Sequence, residues 1–123
     1  NRFRLVPREG EAPQGPYRLG IGMVERLLAL EVMDTAGTTL AELRLSIGPM
    51  RGVIKDYFAI CESYFDAVKR LPPSKIEAID MGRRGIHDEG ARLLTERLEG
   101  RIETDHDTAR RLFTLICVLQ FRG

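Results

Sequence analysis

The sequence predicts an α+β fold, an antiparallel meander of three or four strands packed on one face by three or four helices. Two observations carry this prediction. Apolar residues alternate with period two across residues 17–47, and from residue 49 onward they recur at spacings of three and four. A length of 123 residues suits a single domain spanning 1–123, divided into an extended arm (1–16), a sheet (17–47) and a helical part (49–123).

The arm is rich in Pro, Gly and Glu, and only Phe3, Leu5 and Val6 could anchor it. Tyr17, Leu19, Ile21 and Met23 then alternate with Arg18, Gly20 and Gly22, the pattern of a strand with one buried face. Leu28, Leu30 and Val32 continue in a second strand, and Asp34-Thr35-Ala36-Gly37 supplies hairpin-turn chemistry. Thr39, Ala41, Leu43, Leu45 and Ile47 form a third, with Glu42, Arg44 and Ser46 turned outward. At Gly48-Pro49 the period becomes helical, and proline suits a first helical position. The stripe Met50, Val53, Ile54, Tyr57, Phe58, Cys61, Tyr64, Phe65 and Val68 is expected to lie on the apolar face of the sheet. Leu71-Pro72-Pro73 ends that helix. Ser74 with Glu77 reads as a capping box opening a short helix through Ile76 and Ile79. Gly82, Gly85 and Gly90 then punctuate a connector, and a further helix carries Leu93, Leu94 and Leu98 to a stop at Gly100. Asp105 or Asp107 caps the last helix. Its run from Leu112 to Leu119 is apolar on nearly every side, so it belongs either at the centre of the fold or in a homodimer interface.

Composition narrows the function classes. Hydrophobic residues make up 43%, enough to offset the ordering entropy that keeps polar chains disordered. A net charge of +1 argues against a generally basic nucleic-acid binder, although a local patch could survive within it. No run of about eighteen apolar residues exists, so no membrane-spanning helix is expected. Asn1 stands where a methionine would open a gene product, so residues upstream are expected; no secretory leader is visible within the chain. Cys61 and Cys117 lie in apolar helical patterns and are expected as free thiols, with an interhelical disulfide as the alternative. Neither has a His or Cys at ligand spacing. No metal or cofactor is expected, and the expected location is the cytoplasm.

Three long blocks carry a family resemblance. They are Lys55-Asp56-Tyr57-Phe58 with Ile60-Cys61-Glu62-Ser63-Tyr64; Ile76 to Gly85 followed by His87, Glu89 and Gly90; and Asp107 to Leu119. Together they resemble uncharacterised protein family 0262, a group of small bacterial proteins, weakly from Gly15-Pro16-Tyr17 and strongly from Pro49 to Gly123. The resemblance implies no established activity. It does imply that a helix and further residues precede Asn1 in typical members. Gly52 stands where the family pattern has a second arginine, Asp88 where it has an asparagine and Gln120 where it has a histidine. Those departures weaken any expectation of chemistry needing a neutral amide at 88 or a histidine at 120.

The densest constellation runs from Asp80 to Arg92. As a glycine-rich turn it would let backbone amides approach an anion, with Arg83, Arg84, Gly85 and Arg92 binding it. His87 would act as acid or base, oriented by Glu89. The bland alternative is a connector whose glycines make bends and whose Asp88 and Glu89 favour a helix start. A metal held by His87, Asp88 and Glu89 with Asp105-His106-Asp107 would need a long-range meeting, and helix capping explains the second trio more simply. Asp34-Thr35-Ala36-Gly37 resembles an aspartic protease signature but falls on a hairpin turn. Gly20-Ile21-Gly22 opens no helix, no Gly-x-Ser-x-Gly elbow exists, and Ser46, Ser63 and Ser74 lack an adjacent base. Arg83 and Arg84 with Arg110 and Arg111 would bind RNA only if they converged, and few aromatics accompany them. The leading expectation is a non-enzymatic binding or protein-interaction module, a homo-oligomer through the last helix. The alternative is an enzyme or sensor for an anionic, phosphorylated small molecule.

Overall fold

The computed structural model describes residues 3–6 and 15–122, with the side chains of 121 and 122 outside the description. The alternating segment forms β2 (Arg18–Val24), β3 (Leu27–Met33) and β4 (Thr39–Ser46), an antiparallel meander in the order β2-β3-β4. Its register stacks three apolar rows across the sheet: Leu19–Val32–Ala41, Ile21–Leu30–Leu43 and Met23–Leu28–Leu45. Asp34 builds the β3–β4 turn. Its Oδ1 accepts from the amides of Ala36 and Thr38, both at 2.9 Å, while Gly37 takes a φ of 91°. The carboxylate is thus committed to the hairpin. The β2–β3 turn departs from the usual chemistry, because Glu25 and Arg26 hold φ of 51° and 70° with neither Gly nor Asn present.

Within the stretch expected as a loose arm, Phe3–Leu5 form β1, which pairs antiparallel with β5 (Ile102–Thr104). Leu5 and Ile102 are buried, and the Val6 amide donates to the Arg101 carbonyl at 2.9 Å. Residues 1, 2 and 7–14 of that arm lie outside the described residues. A three-residue strand far from its partner in sequence leaves no periodic signal, which is why β5 escapes a pattern reading.

A 3₁₀ turn at Gly48–Met50 leads into α1 (Arg51–Arg70), followed by α2 (Pro73–Leu98) and α3 (His106–Arg122). Two expectations need correction. First, α2 is one continuous helix of 26 residues, not two helices around a glycine connector. Pro73 at its first position sets the start, and Lys75 and Ile76 donate to the Pro72 carbonyl; no side-chain cap from Ser74 forms. Each interior glycine costs about 1 kcal/mol against alanine, but Ile76, Ile79, Arg83, Ile86, His87, Gly90, Leu94 and Leu98 keep one face turned to the neighbouring helices, and packing overrides propensity. Gly100, at φ 83°, ends the turn after the helix.

Second, α1 does not lie along the sheet. It packs on α2, and only its first half joins the core: Met50 and Ile54 are buried with Leu28, Leu30, Leu43, Leu94 and Phe113, and Val53, Tyr57 and Phe58 pack against them. The apolar run of α3 is accounted for within the chain, since Ala109, Leu112, Phe113, Ile116 and Cys117 are buried. Phe65 and Val68 in the second half of α1 are exposed, so the outer half of the α1–α2 hairpin runs past the core.

Candidate functional site

The best-connected polar group is His87, near the middle of α2 on the face that meets α3. Gly90 permits the approach: a Cβ there would lie 2.4 Å from the Phe113 ring. The imidazole stacks on Tyr57 of α1 (centroids 5.1 Å apart, planes at 29°) and tilts against Phe113 at 6.0 Å. Its Nδ1 faces the Arg110 guanidinium, with Nη2 at 3.3 Å and Nε at 3.4 Å, so Nδ1 is the acceptor. The proton then sits on Nε2, which donates to the Arg110 carbonyl at 2.9 Å and lies 2.9 Å from Thr114 Oγ1. Burial pushes the His87 pKa below its ordinary 6.5, and the Arg110 and Arg83 charges add to that; the Arg110 carbonyl and Asp88 act the other way. The ring is neutral near pH 7, with both nitrogens engaged.

Around it the cations are matched. Arg110 Nε lies 3.3 Å from Asp88 Oδ1, which also meets His106 Nε2 at 3.0 Å. Asp88 is thereby held below the usual carboxylate range, chiefly by His106. An asparagine at 88 would carry no such charge. Arg83 pairs with Asp80 at 2.7 Å and lies over the Tyr64 ring at 5.5 Å; Arg84 reaches the other Asp80 oxygen at 3.1 Å. Arg92 is gripped by Glu89 and Glu96. These are helical i,i+3 and i,i+4 pairs, which the continuity of α2 makes available.

Of the residues singled out in the sequence, His87, Arg83 and Arg110 come together, whereas Glu89 turns to Arg92. Gly85 lies on an open helix surface. His106 meets Asp88, but no group of three His, Cys, Asp or Glu side chains converges among the described residues. An open depression of about 480 Å³ adjoins the cluster, lined by His87, Asp107, Arg110, Arg111, Thr114 and Leu115. Tyr57 and Thr114 complete the His87 cluster without having stood out in the sequence; a packed tyrosine and a threonine accepted by its own helix carry no spacing signature.

A second feature is apolar. Phe58, Cys61, Phe65 and Val68 follow one another at spacings of three and four along α1. The α3 helix crosses the hairpin at Tyr57 and His87. Phe58 still packs against the core and Cys61 is half-buried, but farther along Phe65 is 69% and Val68 53% exposed, and Met81 of α2 is 67% exposed.

Residues 1–122 match the family model described as "Uncharacterised protein family (UPF0262)". A UPF0262 protein of Cereibacter sphaeroides is 62% identical over 122 residues, covering 98% of this chain and 77% of the relative. One of Roseobacter denitrificans is 60% identical over 124 residues, covering 100% and 78%, and one of Paracoccus denitrificans 61% identical over 120, covering 97% and 74%. No solved structure matches the chain.

Proposed function

The chain belongs to the uncharacterised protein family UPF0262, and from that premise we propose that this bacterial protein is a non-enzymatic protein-interaction module whose docking element is the outer half of the α1–α2 hairpin. The supporting observation is the uncovered stripe at Phe65 and Val68. Single exposed apolar residues are ordinary on protein surfaces. A stripe that continues a core-facing row past the core is not, because burying a Phe or Val is worth about 1.5–3 kcal/mol each. Arg83, Arg84, Arg92 and Arg110 are engaged with Asp80, Asp88, Glu89 and Glu96, and both His87 nitrogens have protein partners. The proposed setting is the cytoplasm, which suits two free thiols; among the described residues no helix is long and apolar enough to cross a membrane.

A photo-crosslinking amino acid at Phe65 or Val68, with Arg97 as an exposed control, tests this in the native host. One defined cross-linked species from the hairpin positions, absent from Arg97 and reconstituted with purified components, supports the module. Cross-linking no greater than from Arg97 overturns it.

A second reading, recognition of an anionic small molecule, draws on the depression beside Arg110 and Thr114, where Arg111 has no ion pair among the described residues. Stabilisation by phosphate or sugar phosphates that disappears in Arg111→Ala would support it, and no shift with any anion would remove it.

A further inference from the structure

We propose that the occupant of the uncovered hairpin face is a second copy of this chain, the two α1 helices packing antiparallel about a two-fold axis; this rests on the interaction-module reading. A two-fold interface must be complementary to itself, so each residue of the stripe needs its partner on the same stripe. Phe65 and Val68, the exposed members of the α1 stripe, meet that condition. Phe58, Cys61, Phe65 and Val68 recur at the three-and-four spacing of a helix–helix seam. Setting Phe65 of one copy against Val68 of the second, and the reverse, places the axis between Asp66 and Ala67. In that register Glu62 lies two residues, about 3 Å along the axis, from direct opposition to Lys69 of the second copy on the same flank, within reach of the two long side chains.

Glu62 and Lys69 stand two turns apart on the same flank of α1, and neither has an ion pair among the described residues. Their neighbours Asp66 and Arg70 already pair within the helix at 2.9 Å. The dimer would thus gain two symmetric Glu62–Lys69 contacts beside an apolar centre, since an antiparallel pairing brings together the unlike charges at the two ends of one flank. The last helix, by contrast, has its apolar run buried within its own chain and leaves only Leu115 and Val118 half exposed.

The overlap within the helix, residues 63–70 of each α1, spans about 12 Å. That puts the interface below the usual size of specific association, so the dimer is a weak, transient one. Sedimentation equilibrium of the full chain across the micromolar range should show a reversible monomer–dimer equilibrium. Phe65→Asp, at a position exposed enough to leave the fold intact by circular dichroism, should be monomeric throughout. Glu62→Lys should weaken association about tenfold, and Glu62→Lys with Lys69→Glu should restore it, since the swap re-creates both contacts. A wild-type chain monomeric at every concentration overturns the proposal, as does a dimer that persists in Phe65→Asp or a double swap that fails to rescue. If the wild type is monomeric while Phe65 cross-links to one defined different protein, the second copy is wrong and the interaction module stands. If neither association is seen, both fall.

Discussion

Replacing the three glycines of α2 one at a time by alanine separates a continuous helix from a glycine turn by the sign of the effect. Gly82, Gly85 and Gly90 all lie in the helix, and none has a positive φ. A Cβ at Gly85 meets nothing within 4 Å, so Gly85→Ala should stabilise by the full helix-propensity difference, about 0.8–1 kcal/mol. At Gly82 the added Cβ lies 3.5 Å from Ile60 Cδ1, an ordinary contact, and a similar gain is expected. At Gly90 the same atom would sit 2.4–2.5 Å from three atoms of the Phe113 ring, which is fully buried. Overpacking of that kind costs about 1–3 kcal/mol, occasionally more, and outweighs the propensity gain. Thermal and urea unfolding followed at 222 nm reads all three; for a chain of this size 1 kcal/mol moves Tm by about 3–5 °C. The expected order is Gly85→Ala and Gly82→Ala above wild type, Gly90→Ala below. Were Gly85 the left-handed hinge of a turn, its alanine variant would lose about 1 kcal/mol instead, so a destabilised Gly85→Ala refutes the continuous helix.

Further outcomes follow from other sites. His87 binds its proton less readily folded than unfolded, so the stability it contributes is fully present above pH 6.5 and is lost as pH falls below it; urea midpoints between about pH 7.5 and 5 should decline with a histidine-like transition that flattens in His87→Gln. Burial pushes the Cys117 thiol up to about 12. Mass spectrometry after brief iodoacetamide treatment at pH 8 should therefore find Cys61 alkylated and Cys117 intact until the chain is unfolded. The β2–β3 turn holds Glu25 and Arg26 in the left-handed region, and Glu25→Asn with Arg26→Gly should raise stability by about 1–2 kcal/mol, seen as a higher urea midpoint.

The meander was legible because its signal is local: Leu19 to Met23, Leu28 to Val32 and Ala41 to Leu45 alternate with the strict period of two, and the register needs only the Asp34–Gly37 turn. The pairing of β1 with β5 was not legible, since Phe3–Leu5 and Ile102–Thr104 are too short for a period and meet across almost the whole chain. Gly82, Gly85 and Gly90 misled for a different reason. Local propensity sees three helix-weakening residues, but Gly90 marks a close helix crossing and Gly82 faces Ile60, and only the partner helices reveal that.

The candidate site shows the same division more sharply. Arg83, Arg84, His87, Glu89 and Arg92 were recognisable as chemically capable residues, and a turn would have aimed them at one point. A helix instead distributes them by 100° per residue, so each arginine finds a carboxylate three or four positions away on its own helix, while His87 alone is carried round to α3. The same geometry that disperses the charges also lengthens the hairpin: a 26-residue α2 needs a long partner, and α1 supplies it by extending past the sheet with its apolar row intact. One fact, the continuity of α2 through its glycines, thus both closes the expected anion turn and creates the exposed Phe65–Val68 surface. Breaking that continuity should undo both together. Arg84→Pro, which removes a helical N–H and clashes with the preceding turn at a cost of about 3 kcal/mol or more, should abolish hairpin-dependent association while freeing Asp80 from its arginines, and retained association would show that the docking surface does not depend on the long helix.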